Sequence, residues 1–270
     1  MVTINSNYAA SFAANAAKQT QSQLNSAMEK LSTGKRLNFA KDDAAGSAIA
    51  MRLESEIRGL AVSSRNASDG QSLIDTADGA LKEVHSMLVR MRELAVQAQN
   101  GTLQASDKSA LDVEFQALET EITRISDSTS WGGIKILDGS TTGSGFSFRV
   151  GAADNITHVI PDMAASNVTI GISSLTSVND SGAIGGLDTA IGNVSSERAK
   201  LGAVSNRLDS TVANLDQIRV NLTSSKARIM DADFALETSN LAKGQILQQA
   251  ATAMLAQANA SKQSVLSLIQ

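Results

Sequence analysis

Residues 71–100 read QSLIDTADGALKEVHSMLVRMRELAVQAQN. Within them Ile74, Ala77, Leu81, Val84, Leu88, Met91, Ala95 and Ala98 recur in alternating steps of three and four. That spacing brings the apolar residues back to one side of a helix every heptad, which is the seam of a coiled coil. The helical pattern runs back through Leu60 and Ile57 to Ala44, so a single helix is expected from Ala44 to about Asn100. At ~1.5 Å per residue it is a rod of roughly 85 Å. Its first half carries Ser64 and Gln71 in the seam register and should pack less tightly, and Gly59, Gly70 and Gly79 weaken it locally. Asn100-Gly101 supplies its stop.

Two further helices share this rhythm. Ser106 or Asp107 opens one that runs through Ser126 on the seam Leu111, Phe115, Leu118, Ile122, Ile125. The short loop before it predicts an antiparallel return along the first rod. From Leu187 to about Leu222 the positions Leu187, Ile191, Val194, Arg198, Leu201, Ser205, Leu208, Val212, Leu215, Arg219 and Leu222 form a third stripe. The rod seam is therefore expected at Leu81, Val84, Leu88, Leu111, Phe115, Leu118, Leu201, Leu208 and Leu215. Between the second and third helices the character changes. Trp131-Gly132-Gly133-Ile134-Lys135-Ile136 reads as a turn and short strand. Phe146, Phe148 and Val150 alternate with polar residues, as do Val168, Ile170 and Ile172, predicting short hairpin strands. The linkers at 139–145 and 173–186 are rich in Gly, Ser and Thr, the composition of exposed segments.

The two ends of the chain resemble each other. Ile4, Tyr8 and Phe12 recur every four residues, followed by Ala16, Leu24, Met28 and Leu31, predicting a helix over about 5–31. At the other end Leu247, Ala250, Ala251, Met254, Leu255 and Ala258 mark one helix face, and Leu266 and Ile269 continue it. Each face holds few large apolar residues among many alanines, so each is expected to need partners, partly from other copies of the chain. Segments 32–43 and 231–233 break the rhythm as two hinges, and Asp42 or Asp43 can cap the following helix. The fold class is mainly α: a long antiparallel, coiled-coil-like bundle with a small β-hairpin region and paired N- and C-terminal helices. The expected domains are 1–42 with 231–270, and 43–230 with a β region at about 129–186.

Composition narrows the function. The 270 residues include one Pro, one Trp, one Tyr, six Phe and no Cys. Scarce proline permits long helices, scarce aromatics imply an aliphatic core, and the lack of cysteine excludes disulfide and thiolate chemistry. Net charge is −4 with no basic, aromatic-interleaved run, so nucleic acid is not an expected partner. No stretch reaches the ~18 apolar residues of a membrane span, so membrane insertion is not expected. Met1-Val2-Thr3-Ile4-Asn5 lacks the basic and apolar regions of a cleaved leader, so export, if it occurs, is expected to use another route.

Catalytic chemistry is hard to assemble from these residues. His85 and His158 have no ligand-spaced partners, and each reads as a structural residue, His85 at a helix surface or seam edge. No phosphate loop surrounds Gly34-Lys35, because Glu29 and Arg36 occupy the positions where Gly and Ser or Thr are needed. The expectation is a non-enzyme with no cofactor and no metal. By pattern alone the heptads serve equally an intramolecular bundle and a polymer; the incomplete terminal faces favour the polymer.

Several runs resemble bacterial flagellin, the subunit of the flagellar filament, over nearly the whole chain outside the middle segment. They are the run from Leu31 to Gly46, Ser64-Arg65-Asn66-Ala67-Ser68-Asp69-Gly70, Arg90-Met91-Arg92-Glu93-Leu94-Ala95-Val96-Gln97 and Leu201-Gly202-Ala203-Val204-Ser205-Asn206-Arg207-Leu208. The most specific is Gln245 to Ala250 continued by Leu255 to Asn259 and Val265 to Gln270. The resemblance implies unfolded export through the flagellar type III apparatus and assembly into a helical homopolymer, in some filaments mixed with other flagellins, for swimming motility. It implies terminal helices that are disordered in the free monomer and order only in the filament, where they line an inner tube, and rods that build an outer one. Polymerisation residues would be Ile4, Tyr8, Phe12, Leu247, Met254, Leu255, Leu266 and Ile269. It further implies a filament cap protein, a hook–filament junction protein and an export chaperone at the C-terminal helix as partners. Arg90, Leu94 and Glu114 match a contact surface for a host Toll-like receptor. The span from Thr141 to Gly186 is too short for a large outer domain. Alternatives are a hook–filament junction protein of the same architecture, a flagellin-like lytic enzyme and a membrane-inserting amphipathic protein.

Overall fold

In a computed structural model, residues 7–140, 145–151, 154–165, 177–178 and 182–267 are described. The elements are α1 (Tyr8–Thr33), α2 (Ala44–Ala98), α3 (Ala105–Ser128), β1 (Ser130–Trp131), β2 (Ile134–Lys135), β3 (Phe146–Arg149), β4 (Asn155–His158), α4 (Ala183–Met230) and α5 (Phe234–Ser267). The chain divides into two compact units. One, the terminal unit, comprises Met1–Glu56 and Asn221–Gln270, and the other, the central unit, comprises Ile57–Val220. No helix among the described residues is long and apolar enough to cross a membrane.

The central unit is the well-packed one. Within it α2 and α4 run antiparallel, as a ladder of polar links records. Ser64 reaches Asp216, Gln71 reaches Asp209 at 2.9 Å, Asp78 reaches Arg198 at 2.7 Å, and Arg92 reaches Asp188. The α2 members lie one or two heptads apart, so they flank the seam as charged rim positions do in coiled coils. His85 falls in the same series and is half-buried, with Nδ1 enclosed and unpaired. Inside the rim, Ile74, Ala77, Leu81, Val84, Leu88, Met91, Phe115, Ile122, Leu201 and Leu208 are buried in one cluster. Of the expected seam residues Leu215 is also buried, while Leu111 and Leu118 are half-buried.

The helix ends follow local chemistry. At the start of α3 the Gln104 N–H donates to the Asp107 carboxylate at 3.1 Å, so Asp107 lies inside the first turn and the helix begins at Ala105. The third rod is longer than the 187–222 stripe, because nothing after Leu222 opposes helix until Asp231. Gly59, Gly70 and Gly79 all lie inside an unbroken α2.

The β region consists of two short hairpins among the described residues. β1 and β2 form a tight hairpin across Gly132 and Gly133, both at positive φ. β3 pairs antiparallel with β4, Phe146 opposite His158 and Arg149 opposite Asn155. The alternation over 168–172 lies outside the described residues. β4 was not legible because its one buried apolar residue, Ile156, gives too short a pattern to read. The β3–β4 hairpin is held at three places. The Phe148 ring rests on Gly70 of α2, where a Cβ would come within 2.6 Å of it. The Asn66 amide donates to the Arg149 carbonyl at 3.2 Å. His158 Nε2 lies 3.0 Å from Glu197 of α4. Glu197 is buried, and its second oxygen accepts from Lys200 at 2.9 Å. Burial pushes the Glu197 carboxyl up, but the hydrogen bonds from His158 and Lys200 outweigh it and hold the group below the ordinary range.

Candidate functional site

The terminal unit is built differently from the central one. Its buried apolar residues, among those described, are Ala13, Ala27, Leu37 and Ala50. Only one of these is larger than alanine, so burial contributes little to the unit's own stability. Its two hinges are, by contrast, closely specified. Gly34 caps α1 at φ 68°, a left-handed conformation that glycine adopts without penalty. Arg36 N–H donates to the Met230 carbonyl at 2.6 Å, Ala232 N–H to the Gly34 carbonyl at 3.0 Å, and the Arg36 guanidinium to the Ile229 carbonyl at 2.7 Å. Asp42 accepts from the N–H groups of Phe39 and Asn38, chiefly Phe39, which outweigh its burial and lower its pKa. Asp43 is the residue that caps α2, accepting from Gly46 N–H at 2.9 Å. Asp233 mirrors it at α5, accepting from Ala235 and Leu236 at 2.9 and 3.2 Å.

From these hinges α1 and α5 pack against each other and run antiparallel. Lys30 Nζ meets Glu237 Oε1 at 3.2 Å near the hinges, and Asn7 Nδ2 reaches the Ala258 carbonyl at 3.4 Å far from them. Alanines at the contact let the helices approach closely, and a Cβ on Gly244 would stand 3.5 Å from that of Leu24. Between them lies an apolar groove of about 430 Å³. Ala9, Phe12, Ala13, Ala16 and Thr20 line one wall, and Leu247, Ala250, Ala251, Met254, Gln257, Ala258 and Ser261 the other. On the same two helices Tyr8 is 75% exposed, Phe12 78%, Ile246 67% and Met254 62%. Of these, Phe12 and Met254 line the groove itself.

The residues expected to polymerise are thus partly brought together. Phe12, Leu247 and Met254 line the groove, Tyr8 is exposed near the start of α1, and Leu255 is half-buried. Ile4, Ile269 and the side chain of Leu266 lie outside the described residues. Sequence reading missed Ile246 and the hinge aromatics Phe39 and Phe234, all exposed. None of the three fits a single helical stripe, and only burial could reveal them.

Arg90 and Glu114, elsewhere in the chain, are exposed and joined at 2.8 Å, with Glu93 also on Arg90 at 3.1 Å. The hydrogen bonds that Arg90 donates to Glu114 and, next, Glu93 raise its pKa. Leu94 is fully buried and presents no surface beside them. No group of three His, Asp or Glu that could hold a metal ion occurs among the described residues.

Residues 4–142 match the bacterial flagellin N-terminal helical region, and residues 184–269 match the bacterial flagellin C-terminal helical region. The chain belongs to the bacterial flagellin family. It is 45% identical over 251 residues to a flagellin of Halalkalibacterium halodurans, covering 90% of this chain and 91% of that one. It is 42% identical to the flagellin of Bacillus subtilis over 99% of both chains. It is also 39% identical to a flagellar filament 33 kDa core protein of Treponema phagedenis, again over 99% of both. A structure described as a flagellar hook-associated protein of Vibrio parahaemolyticus superposes with a TM-score of 0.60 at 15% identity, over 70% of this chain and all of that one. At that identity it speaks for the fold alone. With its family settled, the chain is a structural subunit of a flagellar filament, and it associates with itself.

Proposed function

We propose that the apolar surface of α1 and α5 is the polymerising surface and that neighbouring copies of the same chain cover it. The observation that carries this is the contrast between the units. The central unit encloses a cluster of large apolar residues such as Leu81, Leu88, Phe115 and Leu201, whereas the terminal unit buries just one described apolar residue larger than alanine, exposes Tyr8 and Ile246 on its helices, and leaves Phe12 and Met254 exposed in a groove walled largely by alanine. A surface of this kind is costly in water and gains by association. Contacts that join unlike faces without closing a ring extend as a helix, so a filament follows rather than a small oligomer.

In this reading residues 1–42 and 231–270 form the inner tube and 43–230 the outer one. The seam of Leu81, Val84, Leu88, Phe115, Leu201, Leu208 and Leu215 keeps the outer part rigid. Export is unfolded, by the flagellar type III apparatus, and assembly proceeds under a cap protein onto a junction protein. The export chaperone covers the C-terminal helix before assembly. The role is mechanical and non-catalytic, and the filament is extracellular. Recognition by a Toll-like receptor would fall to Arg90 and Glu114, since reaching Leu94 requires opening the core.

The test is seeded growth. Purified chain added to sheared filaments should elongate them, and a chain truncated before Leu236 should not. A truncated chain that elongates seeds normally would remove α5 from the polymerising surface. A full-length chain that only decorates seed ends would indicate a junction protein.

A further inference from the structure

We infer that Asn100 is a site of spontaneous covalent modification, in which the Gly101 backbone nitrogen attacks the Asn100 side chain and the amide is lost through a succinimide. Asn100-Gly101 is the one Asn-Gly pair in the sequence, and it lies in the turn between α2 and α3. Cyclisation joins the Gly101 nitrogen to Cγ of Asn100 in a five-membered ring. It asks three things of the fold. The nitrogen must be free to lose its proton, the side-chain carbonyl must be held for attack, and water must reach both.

The turn meets all three. Asn100, Gly101 and Thr102 are exposed. The Gly101 N–H has no hydrogen-bond partner among the described residues, whereas the two N–H groups before it are engaged, Gln99 with the Ala95 carbonyl at 3.3 Å and Asn100 with the Gln97 carbonyl at 3.1 Å. The Thr102 N–H donates to Asn100 Oδ1 at 3.2 Å, closing an Asx turn. That donor polarises the carbonyl and sits on the oxygen that becomes an oxyanion as Cγ turns tetrahedral. Glycine also leaves the attacking nitrogen uncrowded and its backbone free to close the ring.

The other acidic residues followed by glycine are placed differently. Asp69-Gly70 and Asp78-Gly79 lie inside α2, where each glycine N–H is committed to the carbonyl four residues back. Asp78 is also held by Arg198 at 2.7 Å. Asp138 makes the same turn with the Ser140 N–H at 3.0 Å, but the bonds from Ser140 outweigh its burial and hold its carboxyl below the ordinary range. It is an anion, which repels a nucleophile, whereas the Asn100 amide is neutral.

The step balances without oxidant or reductant. The Gly101 nitrogen bonds to Cγ and gives up its proton, the Cγ–Nδ2 bond breaks, and ammonia leaves. Water then opens the ring at one of its two carbonyls, giving aspartate or, with the backbone rerouted through the side chain, isoaspartate. Each event lowers the net charge of −4 by one. It sets a carboxylate just past the C-terminus of α2, where the helix dipole disfavours it.

The folded full-length chain, held at mildly alkaline pH and then digested with trypsin under mildly acidic conditions, tests this. Cleavage at Arg92 and Lys108 releases residues 93–108 as one peptide. Mass spectrometry follows amide to acid at residue 100 and separates aspartate from isoaspartate. Acid should accumulate in the folded chain at least as fast as in a synthetic 93–108 peptide, with isoaspartate among the products, while Asp69 and Asp78 keep their normal linkage. Gly101→Ala is a non-disruptive control, because its Cβ would meet nothing within 4 Å and Gly101 is not at positive φ. It should slow the conversion roughly tenfold, a barrier change of about 1.4 kcal/mol, and leave the thermal midpoint in place. A folded chain that keeps Asn100 while the peptide converts would overturn the inference. So would a Gly101→Ala chain that converts as fast as its parent, or a product that is aspartate alone, since direct hydrolysis makes no isoaspartate.

Discussion

Phe12→Ala separates assembly from folding. Phe12 is 78% exposed on the free chain, so the truncation removes almost no packing there. Complete burial of a phenylalanine side chain is worth about 1.5–3 kcal/mol. Scaled by the share that is still exposed, a neighbouring subunit covering the ring gains about 1.2–2.3 kcal/mol. A factor of ten corresponds to about 1.4 kcal/mol, so the critical concentration for filament growth should rise roughly 7- to 50-fold. The free chain should be nearly indifferent, because exposed substitutions typically change stability by less than about 0.5 kcal/mol. The assay is sedimentation of filaments grown from fixed seeds over a concentration series, beside thermal unfolding of the free chain. An unchanged critical concentration would refute the reasoning. So would a fall in the free chain's midpoint as large as a core truncation produces, since the ring would then be part of a core.

Other perturbations test the central unit. Gly79→Ala, where an added Cβ meets nothing within 4 Å, should stabilise by about 1 kcal/mol in denaturant unfolding through helix propensity. Gly70→Ala drives a Cβ to 2.6 Å from the Phe148 ring and should lose that gain to overpacking of about 1–3 kcal/mol, with Phe148→Ala relieving the clash in the double variant. Leu88→Ala, at a fully buried seam position, should cost about 2–5 kcal/mol in the same measurement while leaving the helical circular-dichroism signal in place before the transition. Glu197 has a folded-state pKa below its ordinary 4.5, so its contribution is present above that value and is lost as pH falls through the lowered folded value. Glu197→Gln should therefore flatten the acid limb of the plot of midpoint against pH, and an unchanged limb would show that the His158–Glu197–Lys200 cluster does not stabilise the charged carboxylate.

The parts of this fold that were legible in the sequence are those with a long period to read. The α2 seam is visible because eight apolar residues hold one heptad register over 74–98, and burial in the structure follows it. The hinges were legible because Gly34, Asp43 and Asp233 have side-chain or backbone chemistry suited to one task. β4 was not, because four residues with one buried side chain carry no period. Glu197 was not, because a single charge inside a helical stripe looks like a surface residue until His158, remote in sequence, is placed beside it. At the candidate surface, Phe12 and Met254 were legible from the spacing of the terminal helices. Ile246, Phe39 and Phe234 were not, because their exposure depends on how α1, α5 and the hinges pack.

The most direct measurement of the central claim is an electron cryo-microscopy reconstruction of filaments grown from this chain, at a resolution that places side chains. Tyr8, Phe12 and Met254, exposed in the single chain, should be covered there by α1 and α5 of neighbouring subunits. A reconstruction in which those side chains face solvent, with subunits joined only through the central unit, would contradict it.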